Sequence, residues 1–267
     1  MENVLEIKNL TKKFGSFTAV DSISFTVKAG EVFGLLGPNC AGKTTTIKML
    51  TTLLKPSSGL GLISGYEIGR NSPEVRRNIG YVSQMISVDG SLTGYENLLI
   101  FARLYDIPRR ERRQAIENTL SLLGLTEVAG SLVKTYSGGM IRKLEIGQAF
   151  MHLPKVLFLD EPTVGLDPVA RRNVWSHLRE LREKYQMSIL ITTHYMEEAE
   201  ELCDRLAIMH LGKIVAEGTP AELKRQTGRE GAILEDAFAY FTGANLENGG
   251  GNWRDTIKTR RTAGRLG

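Results

Sequence analysis

The eight residues Gly37-Pro38-Asn39-Cys40-Ala41-Gly42-Lys43-Thr44 constrain this chain more than any other stretch. They fit the pattern G-x-x-x-x-G-K-[ST] without a gap. Ahead of them, Glu31 to Leu36 is a short apolar run of buried-strand length. Behind them, Ile47, Leu50 and Leu54 recur at helical spacing in a segment that begins at Thr44. A strand, a tight glycine turn and a helix in that order aim successive backbone N–H groups and the positive helix end at one point, which makes an anion site. Lys43 is expected to neutralise β/γ-phosphate charge there and Thr44 to offer its hydroxyl to Mg²⁺, with Thr45 joining the phosphate contacts. The alternative, a glycine-rich surface turn, explains neither the fixed spacing nor the flanks.

Length and composition set the frame. With 267 residues, 42% apolar and 24% charged, the chain can bury the core of one large domain or two modest ones. A net charge of +4 is too mild to argue for nucleic acid. No apolar run approaches the ~18 residues of a membrane helix, and the N-terminus lacks a signal-peptide pattern. Cys40 and Cys203 are too few for a metal cluster or a disulfide framework. The expectation is a cytoplasmic chain whose membrane role needs a partner.

Strand and helix signals alternate along the chain. Val4–Lys8 and Ser22–Val27 alternate as half-exposed antiparallel strands, with a turn expected at Lys12–Gly15 carrying Phe14. Residues 59–64 and 79–82 read as strands. The pattern is helical from Leu92 to Gly124, broken at Tyr105–Arg110, and again from Ser137 to His152. Val156–Leu159 and Ser188–Thr193 read as buried strands around a helix at Pro168–Tyr185. Arg205–His210 and Lys213–Glu217 form a hairpin around Leu211-Gly212, and helices follow at 219–227 and 234–242. This predicts an α/β fold: a phosphate-loop core with a mostly parallel sheet, an N-terminal antiparallel β subdomain and an inserted α-helical subdomain at about 85–150. Residues 1–225 form the main unit, 226–248 a helical extension, and 249–267 a Gly249–Gly251 link with a basic tail.

Four groups outside the loop carry chemistry. Val156–Leu159 ends in Asp160-Glu161, where Asp160 can hold a Mg²⁺ water shell and Glu161 can take a proton from an attacking water. A helix-capping pair before Pro162 is the plain alternative. Ser137-Gly138-Gly139 opens a helix and offers a hydroxyl and free N–H groups, a second anion site or simple N-capping. His194 ends a central strand, where ligands bind in open α/β sheets; His152, His177 and His210 read as packing or surface residues. Gln84 ends Ile79–Gln84 and can ligate Mg²⁺ through its amide or be an ordinary loop residue.

These elements occur in an order and spacing that resemble an ABC transporter ATP-binding cassette over roughly residues 3–225. The residues that carry the resemblance are the phosphate loop, Tyr81-Val-Ser-Gln84, Tyr136-Ser-Gly-Gly-Met140, Val156–Glu161, Gly165-Leu-Asp167 and His194. The Tyr-Ser-Gly-Gly-Met form, Thr193–Asp204 and Leu234–Phe238 resemble the drug-export branch, the daunorubicin-resistance ATPases associated with ABC-2 type permeases. The resemblance implies ATP and Mg²⁺ as cofactors, with Phe14 stacked on adenine unless it is a core residue, Gln84 beside Thr44 on the metal, and Glu161 as catalytic base. It implies His194 at the γ-phosphate, Asp167 at a dimer interface, and Ser137–Gly139 closing over the ATP of a second ATP-binding subunit, identical or a close paralogue. Hydrolysis would drive export of a drug-like or lipid-like substrate through a separate integral membrane permease, from the inner face of the membrane.

One position departs from the family, which usually has Gly where this chain has Cys40. If that residue needs φ > 0, its side chain costs on the order of 1–2 kcal/mol. Nucleic-acid-associated relatives carry two cassettes or a long coiled coil between the Gln84 and Ser-Gly-Gly elements, and only about fifty residues separate them here. The remaining alternative is a nucleotide-gated regulatory or non-transport ABC protein, which predicts a missing base or histidine; both are present.

Overall fold

The computed structural model describes residues 2–243. The helical extension beyond Gly243, the Gly249–Gly251 link and the basic tail lie outside the described residues.

Three short apolar stretches become the strands β3 (Val32–Leu36), β7 (Val156–Asp160) and β8 (Ser188–Thr193), each buried at every position. Such continuous burial is what a strand needs when both sheet faces are covered. Together with β6 (Ile79–Val82), β9 (Arg205–His210) and β10 (Lys213–Gly218) they form a six-stranded sheet in the order β10-β9-β3-β8-β7-β6. Every pairing in it is parallel except β10 with β9.

The period-two alternation of side chains divides two cores. Phe33, Leu35, Phe158, Leu190, Ala207 and Met209 point to one face. They meet an antiparallel sheet of β1 (Asn3–Phe14), β2 (Phe17–Lys28), β4 (Ser58–Ile63) and β5 (Tyr66–Glu67), ordered β2-β1-β4-β5, and helix α1 (Lys43–Leu50). Phe25 stacks on Phe33 with ring centroids 5.2 Å apart, pinning one sheet to the other. Leu36, Leu157, Leu159, Ile189, Ile191 and Leu206 point to the opposite face, under a helical layer.

That layer contains α3 (Gly94–Leu104), α4 (Arg109–Leu122) and α5 (Gly138–Phe150), which enter the chain between β6 and β7, and α6 (Pro168–Tyr185). Thr93 and Glu96 form a capping box that starts α3. Asp167 caps α6 through the N–H groups of Val169 and Ala170, with Pro168 at the first helical position. Leu234 and Ala237 of the helix Leu234–Thr242 are buried in the same helical core, so this helix is packed onto the sheet.

Two expectations are corrected and one helix is added. The turn expected at Lys12–Gly15 is strand: Lys12 pairs with Val20, Lys13 with Thr18 and Phe14 with Phe17, leaving Gly15 and Ser16 to turn. Register shifts between Ile7 and Lys13 absorb the polar residues that interrupt the alternation. Helix α1 stops at Leu50 rather than Leu54, because Thr52 takes φ 62° and breaks the spiral. A helix at Ser72–Asn78 (α2) was not expected; only Val75 of it is buried, too little for a periodic signal.

Candidate active site

Four strand ends lie side by side in the order β3, β8, β7, β6. Their carboxyl ends lead into the phosphate loop, His194, Asp160-Glu161 and Gln84, which is why residues far apart in sequence converge.

The loop is held from below. Gly37 N donates to Thr193 O at 3.2 Å, and Gly212 N donates to Ala41 O at 2.9 Å. A Cβ at Gly37 would lie 2.4 Å from Met209 O, so no larger residue fits there. Gly42 takes φ 109° as the N-cap of α1, where L side chains are strained, and no side chain caps the helix. The first N–H groups of α1, those of Lys43, Thr44 and Thr45, therefore face outward from the helix end. Pro38 is half-buried, while Asn39 and Cys40 are exposed. Cys40 takes φ 66°, so the condition attached to this departure is met.

Lys43 turns inward, donating to Gly37 O at 2.7 Å and Pro38 O at 3.1 Å. Its Nζ also lies 3.0 Å from Glu161 Oε1, and both side chains are buried. Thr44 Oγ1 donates to Asp160 Oδ1 at 3.1 Å, and Thr192 Oγ1 donates to the same oxygen at 2.7 Å. In a continuing strand, Asp160 and Glu161 would point to opposite faces. Glu161 instead takes φ 50°, a left-handed break that ends β7 and sends both carboxylates toward the loop. Gln84 Nε2 donates to Glu161 Oε2 at 3.4 Å, and His194 Nδ1 lies 3.3 Å from that oxygen without hydrogen-bond alignment.

The charges here are shaped by burial. Desolvation pushes the Asp160 carboxyl above the usual carboxylate range, while the Thr192 and Thr44 hydroxyls and then Lys43 pull the other way. The Tyr81 hydroxyl is pushed up to about 12, first by burial and then by the Asp160 charge. Asp160 Oδ2 is buried without a hydrogen-bond partner. An unpaired carboxylate oxygen beside the Thr44 hydroxyl is an all-oxygen donor set that fits Mg²⁺, which takes few protein ligands and completes its shell with water and phosphate. Among the described residues no cluster of three or more His, Cys, Asp or Glu offers a metal cage.

The remaining residues stand apart. Ser137 caps α5, its Oγ accepting from Met140 N at 3.3 Å. Gly138 and Gly139 face Leu166 and Ala170, next to the exposed cap Asp167, and among the described residues no hydrogen bond joins Ser137–Gly139 to the phosphate loop. Phe14 is 49% exposed near the β1–β2 turn, so it is not a core residue; Lys12 Nζ sits 5.0 Å from its ring centroid. His152 stacks on Tyr105, and His177 bonds its own helix at Asn173 O. Thr192, which no local sequence pattern marks, donates to the Asp160 carboxylate and accepts from the backbone Glu161 N at 3.0 Å. The parallel register pairs it with Asp160, a relation that the Asp-Glu and Thr-Thr-His strand ends carry in outline.

A family model described as "ABC transporter" matches residues 20–164. The linearmycin resistance ATP-binding protein LnrL of Bacillus subtilis is 41% identical, the match covering 86% of this chain and 74% of the relative. The daunorubicin/doxorubicin resistance ATP-binding protein DrrA of Streptomyces peucetius is 42% identical, over 84% and 68%. The probable multidrug ABC transporter ATP-binding protein YbhF of Escherichia coli is also 42% identical over 89% of this chain, which spans only 41% of that relative's length. A solved ATP-binding subunit of an ABC transporter superposes with a TM-score of 0.79 at 32% identity, covering 89% of this chain and 99% of that one. With the family model matching more than half of the sequence, a range that spans the loop and both carboxylates, and with relatives above 40% identity, this chain belongs to the ABC transporter family.

Proposed function

We propose that this chain is an ATP hydrolase that works in a head-to-tail pair of ATP-binding subunits. The observation that carries the reading is the convergence of Lys43, Gln84 and His194 on the buried carboxylate of Glu161. Glu161 acts as general base, taking a proton from the water that attacks the terminal phosphorus, and ADP leaves. A positioned base contributes about 10²–10⁴ in rate. Lys43 Nζ, Thr45 and the outward-facing N–H groups of Lys43, Thr44 and Thr45 bind phosphate oxygens, and His194 contacts the γ-phosphate. Thr44, Asp160 and the amide of Gln84 would hold Mg²⁺, which neutralises charge building on the phosphates. Phe14, exposed near a hairpin turn, stacks on adenine.

Ser137, Gly138 and Gly139 act on the nucleotide of the second subunit, a copy of this chain or a close paralogue. Supporting this, they are grouped with Leu166–Ala170 and not with their own loop. Asp167 then lies in the contact between subunits. No helix among the described residues is long and apolar enough to cross a membrane. On this reading the pair works on the cytoplasmic face of a separate permease of the ABC-2 type, and the resistance names of the relatives favour export of a drug-like or lipid-like cargo.

The test is ATP turnover in wild type, Lys43→Ala and Ser137→Arg. Turnover is expected to need Mg²⁺ and to vanish in both variants, with ATP binding to monomeric Ser137→Arg kept. Equal turnover in wild type and Lys43→Ala would reject hydrolysis at this loop. Collapse of monomer affinity in Ser137→Arg would return the serine to its own chain's site.

A further inference from the structure

Helix α5 carries two features that point in different directions. Its N-terminus presents Ser137, Gly138 and Gly139. Further along, Arg142 and Glu145 reach back to the segment that follows β6. Arg142 Nη1 donates to Ser83 O at 2.8 Å and Nη2 donates to Gln84 O at 3.4 Å. Glu145 Oε1 accepts from Ser87 N at 2.6 Å and from Ser87 Oγ at 3.0 Å. The two side chains pair with each other, Arg142 Nη1 lying 3.0 Å from Glu145 Oε2, and both are more than nine-tenths buried.

The segment they hold has little burial of its own. Gln84 through Ser87 are exposed, with Met85 and Ile86 at 80% and 65%. An apolar loop this open is not fixed by packing, so its position depends on polar ties: a local one from Ser83 Oγ to Met85 O at 2.6 Å, and those from α5. Those ties fix the backbone on both sides of Met85-Ile86, and Gln84 from the same segment donates to Glu161 at 3.4 Å. Burying a cation and a carboxylate carries a desolvation penalty that apolar residues of similar volume avoid. The guanidinium supplies what those residues cannot: a planar fork that reaches two successive carbonyls.

We propose that Arg142 and Glu145 form a clamp that positions Gln84 against Glu161 and makes that contact depend on the placement of α5. They are positioning residues: among the described residues neither makes a hydrogen bond or ion pair to residues 37–44 or 160–161. The clamp ties the helix that presents Ser137–Gly139 to the amide beside the base, so a displacement of α5 moves Gln84 off Glu161. The proposal rests on the reading of Glu161 as the base.

Arg142→Lys keeps the charge and loses the fork; Glu145→Gln keeps the shape and loses the charge. Both are compared with wild type by hydrogen–deuterium exchange over residues 83–87, by ATP turnover and by ATP affinity. The expected result is exchange faster by about tenfold, kcat lower by about ten- to a hundredfold, and ATP affinity changed by less than about threefold. A merely structural role would lower melting temperature and affinity together. Unchanged exchange in both variants, or affinity falling as far as kcat, overturns the clamp. The exchange measurement needs no turnover, so a wild type that hydrolyses nothing rejects the base and leaves the clamp to be judged on exchange. Glu145→Gln, close to isosteric, carries the test should Arg142→Lys not fold.

Discussion

Lys43 Nζ lies 3.0 Å from Glu161 Oε1, with both side chains almost wholly buried. The same nitrogen bonds the carbonyls of Gly37 and Pro38. One cation thus ties the phosphate loop to the carboxylate across the site, and a phosphate bound there as proposed would compete with Glu161 for it.

That pairing has a stability consequence. Removing the lysine alone leaves a buried carboxylate without its cation, and breaking a buried pair from one side costs about 3–5 kcal/mol. In urea denaturation without nucleotide, Lys43→Ala should lose about that much. Glu161→Gln should lose less, and the double variant should be more stable than Lys43→Ala. Strictly additive losses would mean that the two groups are not coupled.

Cys40 holds a left-handed backbone, φ 66°, and is exposed, whereas Cys203 is buried and burial pushes its thiol up. Maleimide should therefore inhibit turnover through Cys40, with ATP protecting. Cys40→Gly relieves strain on the order of 1–2 kcal/mol. It should resist maleimide and bind ATP at least as well as wild type. Inhibition as strong as in wild type would place the reactive thiol elsewhere, and weaker binding would give the cysteine a role in the loop.

Asp160 gives a pH dependence with a definite sign. Its carboxyl is raised in the folded chain, chiefly by burial. A raised carboxyl contributes stability that is fully present below its unfolded value and lost as pH rises through the folded one. At neutral pH the charge is therefore a cost to folding. Asp160→Asn should melt a few degrees above wild type at neutral pH without nucleotide or Mg²⁺. The gap should narrow as pH falls toward the ordinary value of 3.8, and ATP turnover should be lost. Calorimetry across pH measures this; a lower melting point at neutral pH would show that the charge stabilises the fold.

Much of this was legible in the sequence, because the site sits where local patterns are strongest. The loop is set by glycine positions, and Asp160, Glu161 and His194 end runs of buried apolar residues whose strand character is plain. The parallel order β3-β8-β7-β6 is set by tertiary packing, so the meeting of Gln84 with Glu161 is not written locally. Thr192 and Arg142 escaped for the same reason. Each acts through partners 32 and 59 residues away in the chain, and nothing in its own neighbourhood marks it. Phe14 was misplaced into a turn because bulges in β1 hide the alternation that would have identified the strand.

The proposed site is completed by two subunits, with Glu161 as its base. Glu161→Gln removes the base while leaving the phosphate contacts of Lys43 and the loop, so ATP should bind and stay intact. Size-exclusion chromatography of this variant with and without ATP and Mg²⁺ is the decisive measurement. A dimer is expected with ATP, a monomer without it, and no lasting dimer in wild type once its ATP is consumed. A Glu161→Gln protein that binds ATP yet remains monomeric at saturation, or that hydrolyses ATP as fast as wild type, would contradict this reading.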